Sequence, residues 1–337
     1  MKSLEKKKRT YLLIIIGIII LFIGILLSVS LGAKNISFLT IIESLFTKEN
    51  NVDFQIIKDI RIPRAIAAAL VGGFLSVAGS IMQGITRNPI AEPSVMGITQ
   101  GATFAIAIAF VIQKVMPNAV IGSFGLMTFA FFGASISGIL VYILSSRTRK
   151  KVDPVKLALA GTALGTLLIS LALGIAMYFN LSQELSFWIS GGLVSSTWQG
   201  VKLLLIVGGI GLILAMVMAP KITILSLGEE VAIGLGEKTN LVRFICIIIV
   251  ILLTGASVSV AGNIVFVGLI IPQIVKAIVG ADYKSIIPAS LILGAALLVY
   301  GDIIARMINP PYETPIGSLT ALLGVPVFIY LVRKDGN

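Results

Sequence analysis

The chain has 337 residues, of which 57% are hydrophobic and only 12% are charged, and its mean hydropathy is +1.05. Soluble domains carry about 25% charged residues, so the composition excludes a soluble globular protein, a disordered chain and a nucleic-acid-binding domain. The net charge of +11 comes from basic residues in short loops between apolar runs, which is typical of a polytopic membrane protein. The chain has no histidine, and its one cysteine, Cys246, lies inside an apolar run. The commonest metal ligand and an internal disulfide are therefore both absent.

Ten apolar runs are long enough to cross a bilayer. A hydrocarbon core of roughly 30 Å needs about 20 apolar residues in a helix, and every backbone polar group inside it must be paired internally. The runs are 11–31, 64–84, 95–113, 120–144, 156–178, 199–219, 241–261, 263–280, 286–307 and 314–332. Only a short Ala-Gly-Asn stretch separates the seventh run from the eighth. We therefore predict an all-α protein with one transmembrane domain over 1–337, formed by a tail at 1–10 and a ten-helix bundle over 11–332.

The basic residues predict the orientation of the bundle. The first run follows five basic residues and is longer than the apolar core of a signal peptide, which has about 7–15 residues, so we interpret it as an uncleaved span with its N-terminus inside. Ten spans then place the C-terminus inside as well, and 18 of the 26 Lys and Arg residues fall on the inner side. This excess follows the positive-inside rule. Trp188 and Trp198 fall at the outer ends of spans five and six, where interfacial indoles are common.

Two stretches that begin five spans apart, 72–97 and 255–280, have similar sequences. Ser-Val-Ala-Gly occurs in both, at 76–79 and 259–262, and the glycines and prolines around it match. An odd separation in spans reverses the direction through the membrane, which predicts inverted-topology repeats around a central pathway. Chance is the alternative, because glycine is abundant and small residues suit any helix contact. The helix-packing residues that the repeat predicts are Gly72, Gly79, Gly255, Gly262 and Pro272.

Polar residues between spans two and three and in span nine need a physical reason. Pro89 and Pro93 cannot both lie inside one regular helix, so residues 87–93 form either an ordinary cytoplasmic turn or a constriction in which water reaches irregular backbone.

Asp302 is the only acidic residue inside the ten spans, and it shares a helix face with Arg306, four residues later. The two form a self-neutralised pair in the simplest interpretation. A proton or sodium relay usually shows several intramembrane carboxylates, so ion-driven transport is disfavoured.

Three arginines, Arg61, Arg64 and Arg306, fall at the outer surface in this topology. They either snorkel to lipid headgroups or clamp carboxylates of an external protein by charge-assisted hydrogen bonds.

The segment 220–240, between spans six and seven, is predicted to be cytoplasmic. Within it, Glu229 and Glu230 occupy the first turn of a predicted short helix, where acids are favoured. This helix is either a surface amphipathic element or a lever that docks into a cytoplasmic motor subunit. No G-x-x-x-x-G-K-[ST] phosphate loop and no nucleophile–base pair occurs in the chain. We therefore expect a transport subunit and not an enzyme, with any ATPase on another chain.

Several of these stretches resemble the permease subunits of type II ABC importers for ferric siderophores, haem and cobalamin, the FecCD family. The similar stretches are RIPRAIAAALVGGFLSVAGSIMQGITRNPIAEPSVMGITQGA (61–102), LALAGTALG (157–165), WISGGL (188–193), LSLGEEVAIGLG (225–236), VAGNIVFVGLIIPQIVKAIVGAD (260–282), GDIIARM (301–307) and TPIGSLTALLGVPVFIYLVRK (314–334). They follow one another in order over nearly the whole chain after the first span. The resemblance implies a permease dimer in the bacterial cytoplasmic membrane, with two cytoplasmic ATP-binding subunits and an external binding protein.

The resemblance also implies roles for particular residues. Arg61, Arg64 and Arg306 would receive acidic residues of the binding protein, and Asn88, Pro89 and Ile90 would form the inner gate. The ATPase-coupling residues would be Leu225, Leu227, Gly228, Glu229, Glu230, Ala232, Gly234 and Gly236. No cofactor or metal is expected on this chain, since ATP and Mg²⁺ would bind the partner ATPase.

The chain departs from the family pattern in two places. The usual Pro-His-[Ile/Leu]-[Val/Ala]-Arg is Pro272-Gln273-Ile274-Val275-Lys276 here. Gln273 cannot titrate as histidine would, and Lys276 keeps a charge but loses the planar fork of arginine. The usual Glu-Leu-Pro before the last span is Glu-Thr-Pro at 313–315.

The function that the sequence favours is an importer permease that receives a ferric siderophore from the binding protein and is driven by the separate ATPase. Haem or cobalamin is the alternative cargo within the family. Two rivals from other classes are an ion-coupled secondary transporter and a structural or sensory subunit. An intramembrane enzyme would need clustered polar residues at midplane depth, which are absent. The sequence does not identify the cargo and does not distinguish a homodimer from a heterodimer.

Overall fold

The computed structural model describes residues 2–32, 37, 40–41, 43–44, 51–116, 121–146, 154–310 and 312–335. The helices that carry the description below are α1 (Lys2–Ser30), α2 (Ile62–Thr86), α3 (Ile98–Val115), α4 (Ser123–Ser146), α5 (Pro154–Tyr178), α6 (Ser182–Ser190), α7 (Gly209–Ser226), α8 (Glu229–Gly234), α9 (Thr239–Ala261), α10 (Val267–Val279), α11 (Tyr283–Met307) and α12 (Ile316–Asp335). Through a π-helical stretch in each case, α2 and α7 extend back to Val52 and Trp198. A 3₁₀ turn, Pro93–Met96, precedes α3.

The predicted spans are present in order. Eight helical segments of the described residues are long and apolar enough to cross a bilayer, and α10 and α12 add two shorter apolar helices. Residues 2–10 are helical and continuous with the first span in α1. One detail of the prediction was wrong. The eighth run is not one full helix, because α10 has 13 residues and so rises only about 20 Å. Non-helical residues 262–266 precede it.

The central helix of the bundle is α2, which contacts α7, α9, α10 and α11 and has almost no exposed residue. Glycines permit this packing. A Cβ at Gly79 would overlap the carbonyl oxygen of Gly268 on α10, and a Cβ at Gly72 would overlap the carbonyl oxygen of Gly294 on α11. Close backbone approach of this kind is how small residues bring membrane helices together. Gly255 on α9 is less tight, since the atoms nearest its Cβ position belong to the Phe131 ring at 3.3 Å.

The two repeated stretches run in opposite directions, as predicted. Arg64 at the start of α2 and Gly262 after the end of α9 line one cavity, so these helix ends lie together. The residue-by-residue alignment is wrong, however. Gly79 lies inside α2 whereas its counterpart Gly262 caps α9 with φ +64°. Pro89 lies in a turn whereas Pro272 lies inside α10. The helices are interrupted at different positions in the two halves, so residues that are equally spaced in the sequence do not have the same conformation.

Candidate functional site

Two ends of the bundle carry the predicted site residues. The Arg64 end contains the start of α2, the end of α11 and the residues that precede α12. The Arg87 end contains the end of α2, α8, the end of α10 and the start of α11. The structure brings Arg61, Arg64 and Arg306 together at the first end. It brings the predicted gate and coupling residues near one another at the second.

Two carboxylates hold the guanidinium of Arg64. Its Nε and Nη2 donate to Asp302 at 2.8–3.1 Å, and its Nη1 and Nη2 donate to Glu313 at 2.7 and 2.8 Å. Asp302 is fully buried and also pairs with Arg306, Nη2 to Oδ2, at 3.1 Å. The predicted Asp302–Arg306 pair is therefore present, but Arg64 is the stronger partner because it approaches in a bidentate manner.

The other two arginines bind the end of α1. Arg61 donates from Nη1 to the carbonyls of Val29 and Ser30 at 2.7 and 2.8 Å. Arg306 donates to the carbonyl and hydroxyl of Ser28. Arg61 and Arg64 are 6% and 5% exposed. Internal acceptors therefore hold the guanidiniums of all three arginines in this structure. Their role in receiving a binding protein stays a prediction.

A cavity of about 620 Å³ opens beside this cluster. Its wall contains Arg64, Glu313, the α6 residues Glu184 and Trp188, and the end of α9, and it is mostly apolar. The indole Nε1 of Trp188 is buried without a hydrogen-bond partner. Trp188 lines this cavity, whereas Trp198 is 41% exposed and donates to the carbonyl of Lys58 at 2.9 Å. The placement of both indoles at a membrane interface stays a prediction.

At the Arg87 end, a polar cluster fastens the predicted gate to α10. The amide of Gln273 donates to Gln83 Oε1 and to the Pro89 carbonyl, both at 2.8 Å. Lys276 Nζ also donates to Gln83 Oε1, at 3.0 Å. The side chain of Asn88 accepts from the Ile90 N–H at 3.1 Å, which closes the turn. Of the two residues that depart from the family pattern, Gln273 bonds the turn directly at Pro89, and Lys276 binds Gln83 of α2.

The predicted coupling segment forms a short helix, as expected. Glu229 and Glu230 begin α8, and Gly228 precedes it with φ +138°, a backbone conformation that favours glycine. Glu229 accepts from Arg243 of α9 at 3.1 Å, Nη2 to Oε2, and Arg243 is 3% exposed. Leu225 belongs to the buried end of α7 and not to the loop, which corrects its predicted place.

Around α8 the coupling residues divide into buried and exposed groups. Ala232 is buried, while Leu227 is 63% exposed; Ile233 and Leu235, which were not among the predicted coupling residues, are 53% and 64% exposed. Gly234 and Gly236 have open space where a Cβ would lie. The guanidinium of Arg87, at the end of α2, lies near Gly228, since its Nη1 would be 3.9 Å from a Cβ there. The coupling segment and the gate turn are therefore neighbours.

The acid of the connection between α2 and α3, Glu92, reaches the start of α10. Glu92 Oε1 accepts from the backbone N–H of Phe266 at 2.6 Å, and its side chain also bonds Ser94. Burial raises the pKa of Glu92 to about 7, against the smaller opposing effect of these two hydrogen bonds. Phe266 caps α10 in the left-handed conformation with φ +68°, which a bulky residue rarely adopts.

The comparisons with known proteins agree with this architecture. The model of the FecCD transport family matches residues 9–334. The chain belongs to the FecCD transport family. A solved structure, titled as an inward-facing conformation of a metal-chelate type ABC transporter, superposes with a TM-score of 0.82 at 27% identity. The superposition covers 95% of this chain and 98% of the chain in that structure.

Curated relatives match over nearly the full length. The chain is 46% identical to the iron(3+)-hydroxamate import system permease protein FhuB of Bacillus subtilis (strain 168), covering 99% of this chain and 87% of that protein. It is 39% identical to the iron-uptake system permease protein FeuB of the same organism, covering 98% of each. It is 33% identical to the ferric enterobactin transport system permease protein FepD of Escherichia coli (strain K12), covering 94% of this chain and 93% of that protein. The chain is thus a multi-pass membrane permease of this family.

Sequence reasoning missed three residues that hold these sites. From the sequence, Glu313 was recognised only as the first residue of the Glu-Thr-Pro stretch, and Glu92 only as part of the turn at residues 87–93. Gln83 was hidden inside an apolar helix. The available signal was the cost of burying a polar group, because an amide or carboxylate among apolar residues needs a partner.

Proposed function

We propose that the chain is the permease subunit of an ATP-driven importer that carries a ferric siderophore across the cytoplasmic membrane. The observation that carries this proposal is the near full-length similarity to permeases named for ferric hydroxamate, iron uptake and ferric enterobactin. Hydroxamate chelates are the first cargo class to test, since FhuB is 46% identical. Haem or cobalamin is the alternative cargo.

Two cytoplasmic ATP-binding subunits would drive the transport by contacting α8. Three exposed apolar residues near the two acids of this helix support such a contact, because exposed apolar groups with a polar rim suit a protein interface. The buried Arg243–Glu229 pair would transmit the force from α8 to α9. The neighbouring Arg87 would carry it to the gate turn at 88–90. In this orientation both chain termini are cytoplasmic.

An external binding protein would deliver the cargo at the Arg64 end. Arg64 and Arg306 pair with the carboxylates of Asp302 and Glu313 there, while Arg61 binds the end of α1 and lies in the field of Asp53. Arginines grouped at one end of the bundle would steer acidic partners even without direct contact. Glu313 is the most accessible of the paired groups at 32%. The adjoining cavity has a volume within the range of about 300–1,000 Å³ that is usual for small-molecule sites.

A second permease would complete the pathway. Two further relatives, 38% and 36% identical, are both named permease proteins of an Fe(3+)-citrate import system. A pair of different permeases in one system favours a heterodimer for this chain as well.

Iron uptake tests the proposal. Cells that lack the chain should lose uptake of radioactive iron from ferric hydroxamate, and the intact gene should restore it. Citrate, haem and cobalamin are supplied in parallel as the other cargo classes. Vanadate should abolish the uptake. Uptake that a protonophore abolishes and vanadate leaves unchanged would instead indicate an ion-coupled secondary transporter.

A further inference from the structure

A small cavity lies where the connection between α2 and α3 meets the break between α9 and α10. Its volume is about 10 Å³, which is room for about one water molecule. Its polar wall consists of Glu92, Ser94, Thr99 and Thr254, and its apolar wall includes Ile264. Six parts of the chain, which are α2, the connection after it, α3, α9, the break after it and α10, therefore converge on one water-sized space.

Two polar groups at this cavity lack a partner among the described residues: one lacks a hydrogen-bond partner and the other lacks a cation. Thr254 is 2% exposed, and its Oγ1 has no hydrogen-bond partner. The carboxylate of Glu92 has two hydrogen-bond donors, the Phe266 N–H and Ser94, but no cationic side chain among the described residues pairs with it. A buried carboxylate without a cation is costly unless a proton neutralises it. A buried hydroxyl without a partner calls for a water.

We infer that this cavity is a proton-binding site, in which Glu92 carries the proton and one water bridges its carboxyl to the hydroxyl of Thr254. Among the residues that the structure describes, the cavity walls include no other titratable side chain from any of the surrounding elements. Glu92 is mostly buried but keeps some exposure to solvent, so protons can reach it. No charged residue competes for the site, and its size leaves no room for a cation with its own water shell.

The site is placed to act on the gate. Glu92 lies two residues after Ile90 and binds the N–H of Phe266, the strained residue that begins α10. An ionised carboxylate makes the stronger, charge-assisted bond to that N–H, so proton uptake loosens the connection from α10. This consequence rests on the proposed function. The proton site itself does not.

Infrared difference spectroscopy on the purified chain in lipid tests the site without cargo, ATPase or transport. On lowering the pH from about 9 to about 5, the carbonyl stretch of a protonated carboxyl should appear with a midpoint near 7. The band should be absent in Glu92→Gln, which keeps the acceptor for Phe266. It should persist in Glu184→Gln, a control at an exposed carboxyl. Thr254→Val should shift the band frequency, whereas Thr254→Ser should not.

Three results would overturn the inference: a band that survives in Glu92→Gln, no band down to about pH 5, or a band that sodium removes and choline restores. The last would assign the cavity to a metal cation. If Glu92→Gln fails to fold, the wild-type chain is labelled instead with a hydrophobic carbodiimide, a reagent that attacks protonated carboxyls. Modification of Glu92 that increases as the pH falls supports the proton site, and modification unchanged by pH contradicts it. Loss of iron uptake in cells would test the proposed function separately.

Discussion

Arg64 and Asp302 lie 238 residues apart in the chain and join the start of α2 to the end of α11 by a bidentate ion pair. Both side chains are buried, at 6% and 0% exposure. A buried pair of this kind adds less to stability than its geometry suggests, yet removing one member leaves an uncompensated charge. The pair therefore fixes the arrangement of the two helices that carry the Arg64 end.

Arg64→Gln should destabilise the protein strongly. Breaking a buried ion pair costs about 3–5 kcal/mol, so we expect a lower unfolding temperature in detergent and less protein in the membrane. Combining Arg64→Gln with Asp302→Asn should recover part of the loss. Lys202→Gln, at an exposed base near the predicted outer end of span six, is the control. Equal effects of Arg64→Gln and Lys202→Gln would contradict the described pairing.

Gly79→Ala should disturb the packing of α2 on α10. A Cβ at this position meets the backbone of Gly268, which cannot move aside as a side chain would. Overpacking costs about 1–3 kcal/mol, and unfolding in detergent measures it. Gly174→Ala is the matched control, because Gly174 lies in α5 with open space around its Cβ position. There alanine should stabilise the helix by about 0.5–1 kcal/mol. Equal tolerance at the two glycines would refute the close contact.

How far the sequence predicted this fold depends on the kind of signal. Run length predicted the helices, because burial in lipid requires long apolar segments. Resemblance assigned roles to residues at both ends, and these roles stay predictions. Neither predicted that Arg64 would be paired with Glu313 and buried, since the partner is 249 residues away. The break before α10 was missed for a related reason. Apolar composition does not reveal a non-helical segment that the surrounding helices stabilise.

Gln273→Leu should free the gate turn. The change removes the donor that binds both Gln83 and the Pro89 carbonyl, and an unmade buried hydrogen bond costs about 1–3 kcal/mol. The measurement is the maleimide labelling rate of an Ile90→Cys variant. The natural cysteine, Cys246, does not contribute to this rate because it is fully buried. Gln273→Leu should raise this rate. Gln55→Leu, at an exposed glutamine, should not, and a rise with both would remove the role of Gln273.

Arg243→Leu should weaken the hold on α8. The variant removes the buried partner of Glu229, so less ATPase should co-purify with the chain. Lys221→Leu is the control, since Lys221 forms an exposed contact of 3.9 Å with Glu237 beside the same segment. Exposed pairs contribute only about 0–1 kcal/mol. If the two variants retain the same amount of ATPase, the Arg243–Glu229 pair does not position the coupling segment.

Stability should depend on pH through Glu92. Its pKa in the folded chain is raised from 4.5 to about 7, so the folded state holds a proton that the unfolded state has released. Stability is therefore fully present below about pH 4.5 and falls as the pH rises to about 7, with no further loss above it. Unfolding midpoints across this range should show a smaller slope in Glu92→Gln. An unchanged slope in that variant would assign the pH dependence to other groups.

Transport by the purified complex tests the central claim most directly. The tagged chain is isolated from its native membrane together with the proteins that co-purify with it, and the preparation is reconstituted into liposomes that contain ATP. Radioactive iron as ferric hydroxamate is then supplied outside with the binding protein. We expect a nucleotide-binding subunit in the preparation and accumulation of iron that requires internal ATP and stops with vanadate. Accumulation that needs only an ion gradient, or a chain that isolates with no ATPase and moves no iron, would contradict the account.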